Sequence, residues 1–172
     1  MNNSITVDQL NTHIIAGNTD AAIALLSRGV PLDKIGRSGR TPLMEAAFNG
    51  NANVVLALIQ LGANISMQGS SGLTALHDAA AEGHSKIVDL LLKSGANIDA
   101  CSNQNVTPLM CAAAWDYFDT VKLLLDQGAD ASIQDCTGAT ALDTALEKGE
   151  DDRIVELLKS GRKRGHSRMP LS

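Results

Sequence analysis

Histidines and cysteines are the residues of this chain whose side chains could bind a metal or attack a substrate. His77 and His84 lie seven positions apart, and the three cysteines, Cys101, Cys111 and Cys136, form no C-x-x-C pair. The chain has no G-x-x-x-x-G-K-[ST] phosphate loop, no G-x-S-x-G elbow and no G-x-G-x-x-G fingerprint. We therefore expect no catalytic residue, no metal and no cofactor, and we expect the chain to act by binding.

The composition indicates a core of small aliphatic residues and an acidic surface. Aromatic residues are 2% of the 172 residues, so Leu, Ile, Val and Ala must fill the interior. The formal net charge is −5, and the last twelve residues hold four of the fourteen basic residues and no acidic one. The rest of the chain is thus strongly acidic. This argues against nucleic-acid binding, because phosphate backbones attract basic surfaces.

The chain start and the cysteine number bear on location. The first ten residues, MNNSITVDQL, have neither a basic start nor an apolar run, and no stretch reaches the about 20 apolar residues of a membrane span. We expect no signal peptide, no membrane partner and a cytoplasmic protein, with the nucleus as an open alternative. An odd number of cysteines fits a reducing compartment, although a Cys101–Cys136 disulfide is an alternative.

The elements that must position any binding residue repeat along the chain. The same residue types recur every 33 positions, and self-similarity at such a period marks a solenoid of stacked units. Threonine, alanine, leucine and glycine each occupy one recurring column: Thr41, Thr74, Thr107 and Thr140; Ala46, Ala79, Ala112 and Ala145; Leu25, Leu58, Leu91, Leu124 and Leu157; Gly29, Gly62, Gly95, Gly128 and Gly161.

Each unit reads as two short helices followed by a loop. Threonine can cap the first helix, and Pro42 and Pro108 suit the first helical position, where a missing N–H costs nothing. Asp8 takes the threonine column in the first unit and is expected to cap its helix. The predicted first helices cover 7–16, 42–49, 75–82 and 108–115, and the second helices cover 19–28, 52–61, 85–94 and 118–127.

The unit resembles the ankyrin repeat. The resemblance rests on Gly39-Arg40-Thr41-Pro42-Leu43 and on Leu76-His77-Asp78-Ala79-Ala80, and extends over most of the chain. It implies an all-α ankyrin-repeat solenoid of stacked helix-turn-helix units with projecting hairpin loops that are not regular strands. The expected domain covers 1–161 and a basic flexible tail covers 162–172, with repeats at about 6–35 (N-terminal cap), 36–68, 69–101, 102–134 and 135–161 (C-terminal cap).

The resemblance also assigns roles to single residues. His77 and His84 fall on the family's histidine columns, where the imidazoles hydrogen-bond the backbone of neighbouring repeats. Partners in this family usually bind the concave face, formed by the loop tips and the exposed side of each first helix. The residues of this chain that are expected to contact a partner are Arg37, Arg40, Phe48, Leu73, Asp78, Glu82, Val106 and Trp115.

Several of these assignments keep an alternative. Arg37 and Arg40 are either partner contacts or solvated loop charges, and Trp115 is either an aromatic anchor or a local packing residue. Tyr117 stands where His84 stands in the preceding repeat, which favours a structural role. The basic run Arg162-Lys163-Arg164 is either a nuclear address or part of a solubilising tail.

The expected function follows from the resemblance and from the missing catalytic motifs. We expect a non-enzymatic protein–protein interaction module, monomeric when free, that acts as an adaptor, inhibitor or effector. The alternative is a regulatory subunit or a neutralising, immunity-type partner of an enzyme. An enzyme or a small-molecule binder would instead need a deep pocket with convergent polar groups.

Overall fold

A computed structural model describes residues 6–148 and 152–165, over which the chain forms ten α-helices and no β-strand. The helices follow one another in five pairs. The first helices are α1 Val7–Ile15, α3 Pro42–Phe48, α5 Ala75–Ala81, α7 Pro108–Ala114 and α9 Ala141–Lys148. The second helices are α2 Thr19–Leu26, α4 Ala52–Gln60, α6 Ser85–Lys93, α8 Phe118–Asp126 and α10 Asp152–Gly165.

The predicted all-α solenoid is confirmed, and the predicted helix ends lie within two residues of the observed ones. Each second helix from α2 to α8 is followed by a glycine with positive φ, as expected for a left-handed helix end. The last helix differs, because α10 continues through Gly161 to Gly165. Residues 162–165 of the expected tail are therefore helical, and 166–172 lie outside the described residues.

The helix starts follow the threonine columns. The Thr41 and Thr107 hydroxyls each accept the amide of the residue three positions on, at 3.3 Å, and Pro42 and Pro108 occupy the first helical position. These contacts satisfy amides that have no partner within the helix. At Thr74 the hydroxyl instead lies 2.9 Å from Nδ1 of His77.

The prediction that Asp8 caps α1 is wrong. Thr6 is the N-cap and Gln9 completes its capping box, so α1 begins two residues earlier in the repeat than α3 does. Asp8 lies in the first turn and accepts the Arg37 amide at 3.0 Å. Because Gln9 has taken over the capping role, Asn11, in the column of His77, is 5% exposed with no hydrogen bond to either polar side-chain atom.

Pairs of alanines set the spacing of the first helices. Ala46 and Ala47 of α3, Ala79 and Ala80 of α5, and Ala112 and Ala113 of α7 are all 0% exposed. Since these side chains add little bulk, the first helices approach one another more closely than the second helices, which carry larger buried residues such as Leu58, Leu91 and Leu124. Closer spacing in one row bends the stack toward that row, and the first helices thus line its inner face.

Rings from one repeat cover the turn glycines of the repeat before it. His84 Nε2 donates to the Phe48 carbonyl at 3.1 Å, and a Cβ added to Gly50 would lie 2.8 Å from the His84 ring. Tyr117 takes the same place over Gly83, where an added Cβ would overlap its ring. The predicted structural roles of His84 and Tyr117 are confirmed by these contacts, which hold neighbouring repeats in register.

Two further observations concern the chain as a whole. Among the described helices, none is both long and apolar enough to cross a membrane. Cys101, Cys111 and Cys136 are free thiols.

We predict that Gly83→Ala destabilises the protein more than Gly62→Ala does. Both glycines have positive φ, +68° and +87°, but nothing lies within 4 Å of an added Cβ at Gly62. Gly62→Ala should cost about 1–2 kcal/mol for the left-handed backbone alone. Gly83→Ala should add about 1–3 kcal/mol for displacing Tyr117. Chemical denaturation measures both values; equal losses would contradict the packing of Tyr117 on Gly83.

We predict that Asn11→Leu stabilises the protein. Leucine has the branched shape of asparagine but no polar side-chain atoms. The substitution therefore removes two buried atoms that have no hydrogen-bond partner. The free energy of unfolding should rise by about 1 kcal/mol or more. Asn64→Leu is the matched control, because Asn64 is exposed and its side chain accepts the Ser66 amide. A less stable Asn11→Leu variant would show that Asn11 has partners in solution.

Candidate protein-binding surface

One face of each first helix is turned toward the inner side of the stack. Positions 45, 48 and 49 share a helical face because they are three and four residues apart, and the 33-residue period carries these positions into α5, α7 and α9. We call the resulting surface the groove floor. Its members in the second, third and fourth repeats are Glu45, Phe48 and Asn49; Asp78, Ala81 and Glu82; and Cys111, Ala114 and Trp115.

The loops between repeats lie beside the groove floor and form one side of the groove. Within each loop, a backbone amide donates to the carbonyl of the residue four positions later, as Gly69 N does to Leu73 O at 2.8 Å. Neighbouring loops are joined sideways, with the Ser70 amide donating to Gly39 O at 2.9 Å and the Cys136 amide to Gln104 O at 2.9 Å. This ladder fixes the positions of side chains that the loops present to the groove floor.

Arg40 connects a loop to the groove floor of the next repeat. Its Nε donates to Asp78 Oδ1 at 3.1 Å, and its guanidinium lies over the Phe48 ring, 4.2 Å from the centroid. The Arg40 side chain is 29% exposed and that of Asp78 is 3% exposed. Because the pair is largely removed from water, the ion pair and the cation–π contact both fix Arg40 in place.

Asp78, one of the expected contact residues, is buried in the free protein. Arg40 and the neighbouring helices cover this carboxylate, and its Oδ2 has no hydrogen-bond partner among the described residues. Burial raises the pKa of Asp78 to about 6, and the charge and hydrogen bond of Arg40 oppose that rise only in part. Nearby Glu45 and Glu82 push the pKa in the same direction as burial does.

Glu45 is also buried, but its carboxylate is satisfied. Ser38 Oγ donates to Oε2 at 2.8 Å, and the Asn49 amide donates to Oε1 at 3.2 Å. Both donors come from the same repeat as Glu45. The groove floor therefore holds two buried carboxylates, of which Asp78 is the one with a free acceptor oxygen.

Trp115 and Glu82 occupy equivalent positions at the ends of α7 and α5. Trp115 is 61% exposed, the highest value among the large hydrophobic residues of the described chain, and Glu82 is half-buried. The residue after Trp115 is Asp116, which adopts φ +58° in the column of Gly50 and Gly83. Trp115 therefore presents much of its indole to solvent beside the turn.

The remaining predicted contact residues differ in exposure. Leu73 and Val106 are half-buried at the loop ends, and Val106 also gives its carbonyl to His77 Nε2 at 3.0 Å. This confirms the predicted backbone contact of His77. The Arg37 side chain is 92% exposed and pairs with Asp8 at 3.3 Å. A pair so open to water adds little stability, so Arg37 keeps its charge available.

The outer side of the stack carries a different concavity. A shallow apolar depression of about 450 Å³ lies between α8 and α10, lined by Phe118, Leu157, Arg153, Glu156 and Ser160. Phe118 packs against the core, and Arg153 lies over its ring at 4.7 Å from the centroid. Two charged side chains, Arg153 and Glu156, are part of this lining, and within the described residues no three metal-binding side chains cluster.

Comparison with known families agrees with the fold. The family model for ankyrin repeats (three copies) matches residues 9–69, 61–135 and 98–166, which together cover most of the chain. The chain belongs to the ankyrin-repeat family, whose members generally act as protein–protein interaction modules. No curated protein sequence matches the chain.

We predict that Asp78→Asn removes a pH dependence from the stability. The folded state raises the pKa of Asp78 above its unfolded value, so protonation favours folding. Wild-type protein should therefore gain about 1 kcal/mol over the variant between pH 7.5 and pH 5. Burial lowers the pKa of His77, which destabilises both proteins on acidification and cancels in the difference. Urea denaturation of both proteins across this pH range measures the difference in their free energies of unfolding. If the two free energies change in parallel with pH, the burial of an ionisable Asp78 is contradicted.

Proposed function

We propose that this protein is a non-enzymatic binding module that holds a partner protein on the inner face of its solenoid. The observation that carries the proposal is a contrast between columns. Positions that pack repeats together are occupied by the same residue types, whereas the groove floor holds unlike residues at equivalent positions, such as Asn49, Glu82 and Trp115. Among these the exposed Trp115 is the kind of aromatic residue that anchors interfaces.

The rigidity of the groove supports the same role. The hydrogen bonds between neighbouring loops hold the backbone of this surface in one arrangement before a partner arrives. A surface that is ordered in advance loses little conformational entropy on binding, so a few anchors give useful affinity. The proposed contact residues are Arg37, Arg40, Phe48, Leu73, Glu82, Val106 and Trp115, with Asp78 beneath them.

The partner can be captured with a photo-crosslinking phenylalanine analogue. Placed at Trp115 in the cells from which the protein comes, the analogue should give a discrete covalent adduct with another protein. The matched control is the same analogue at Leu56, which is 42% exposed on the second helix α4. An adduct that forms equally at both positions would mean that the inner face is not the binding surface.

We predict that the double variant Phe48→Ala and Trp115→Ala binds the captured partner at least about tenfold more weakly, because truncated interface aromatics commonly cost more than 1 kcal/mol each. The control pair, Ile23→Ala and Leu56→Ala, removes exposed side chains from the second helices α2 and α4. It should leave affinity unchanged. Isothermal calorimetry gives the affinities, and thermal unfolding checks that both double variants stay folded. Unchanged affinity in the aromatic variant would contradict the proposed site.

A further inference from the structure

The groove floor contains an uncompensated negative charge. Glu45 and Asp78 occupy equivalent positions on adjacent helices, and Glu82 lies one turn after Asp78 on the same face. The negative charges of both glutamates repel that of Asp78, whereas the positive charge of Arg40 attracts it. Three carboxylates thus share one guanidinium. A surface with such an excess attracts a further positive charge.

The buried carboxylate also has an acceptor to offer. Asp78 Oδ1 is held by Arg40, but Oδ2 is buried and has no hydrogen-bond partner within the described residues. The Cys111 thiol is its neighbour on α7, and burial together with the Asp78 charge raises the pKa of that thiol to about 12. Cys111 therefore stays a neutral thiol and does not compensate the charge of Asp78. An unsatisfied buried acceptor is costly, and a donor brought by a ligand would relieve that cost.

An aromatic ring lies in the row next to this charge. Trp115 directly follows α7 as Glu82 directly follows α5, so the two residues occupy equivalent positions in adjacent repeats of the groove floor. Arg40 shows how a guanidinium binds between an aromatic ring and a carboxylate, because it stacks on Phe48 and pairs with Asp78. Arginine suits it better than lysine, because the planar guanidinium can stack on a ring and donate several hydrogen bonds at once.

We propose that the groove floor recognises an arginine of the partner protein, with Glu82 and Asp78 as acceptors and Trp115 as the stacking surface. This inference rests on the proposed function and adds the chemistry of the partner to it. Arg40, which is 29% exposed, turns away from Asp78 as the incoming guanidinium arrives, so that one guanidinium replaces another. The partner segment is consequently basic, in keeping with the acidic body of this chain.

Three short peptides test the proposal by NMR titration of the isotope-labelled full chain. They are GSRGRSG, GSKGKSG and GSEGESG, each with blocked ends. The arginine peptide should shift the backbone amides of Asp78 and Glu82, the indole N–H of Trp115 and the Nε–H of Arg40. The lysine peptide should bind the same place about fivefold more weakly, and the glutamate peptide should not bind there.

A pair of matched variants separates the groove from general charge attraction. Glu82→Gln should weaken binding of the arginine peptide about fivefold or more, whereas Glu156→Gln on α10, which removes the same charge elsewhere, should not. Shifts spread over the whole surface, shifts confined to another face, equal effects of the two variants or no shifts at all would each overturn the proposal.

The outcomes also distinguish this inference from the proposed function. If the glutamate peptide binds at the groove floor, or if the protein crosslinked at Trp115 presents no basic residue there, the arginine proposal fails while the binding module stands. If no partner protein crosslinks through the inner face, the proposed function fails by itself. Sedimentation tests one further occupant, the basic segment 162–168 of a second copy. If the wild-type chain self-associates and the Glu82→Gln variant does not, the groove floor binds a second copy of this chain, and the proposal of a different partner protein is overturned.

Discussion

The close approach of the first helices is the constraint on which the rest of the structure depends. Fully buried alanine pairs on α3, α5 and α7 leave no room between neighbouring helices, so each repeat must adopt one spacing and one register. The second helices meet through larger side chains and lie farther apart. That difference curves the stack and gives it an inner face. His84 and Tyr117 reinforce the register by covering the turn glycines of the repeat before.

A fixed register brings residues that are far apart in sequence into rows. Position 45 of one repeat lies beside position 78 of the next and position 111 of the one after, and this juxtaposition places Glu45, Asp78 and Cys111 together. None of these residues is needed for stacking, so their types are free to differ. The cost of burying Asp78 is offset in part by Arg40, which reaches it from the loop of the preceding repeat. The polar character of the groove floor thus arises between repeats, and no single repeat contains it.

The sequence predicted what depends on local pattern. Helix bounds, proline positions, the caps made by Thr41 and Thr107, and the backbone contacts of His77 and His84 follow from residue types at fixed columns and were confirmed. The cap of α1 was predicted wrongly, because Thr6 and Gln9 form a capping box two residues before the column that Asp8 occupies. That pair is visible in the sequence, but the 33-residue register does not predict it, because it lies outside the threonine column. The end of helix α10 was also not predicted by its column, because the helix continues past Gly161 to Gly165.

The candidate site was predictable in position but not in burial. The columns placed Arg40, Phe48, Asp78, Glu82 and Trp115 on the loops and first helices, and their contact with a partner stays a prediction. Whether Asp78 is open to solvent depends on the rotamer of Arg40, which a column cannot specify. The proposed residues therefore divide into exposed ones, above all Trp115, and a buried carboxylate that acts from beneath.

Hydrogen exchange of the free and partner-bound protein tests the central claim most directly, since it reports on every repeat at once. Binding on the inner face should slow amide exchange in the loops and first helices of residues 36–49, 69–82 and 102–115. Exchange in the second helices α4, α6 and α8 should change little. Protection concentrated in α4, α6 and α8, with the first helices unaffected, would contradict the account.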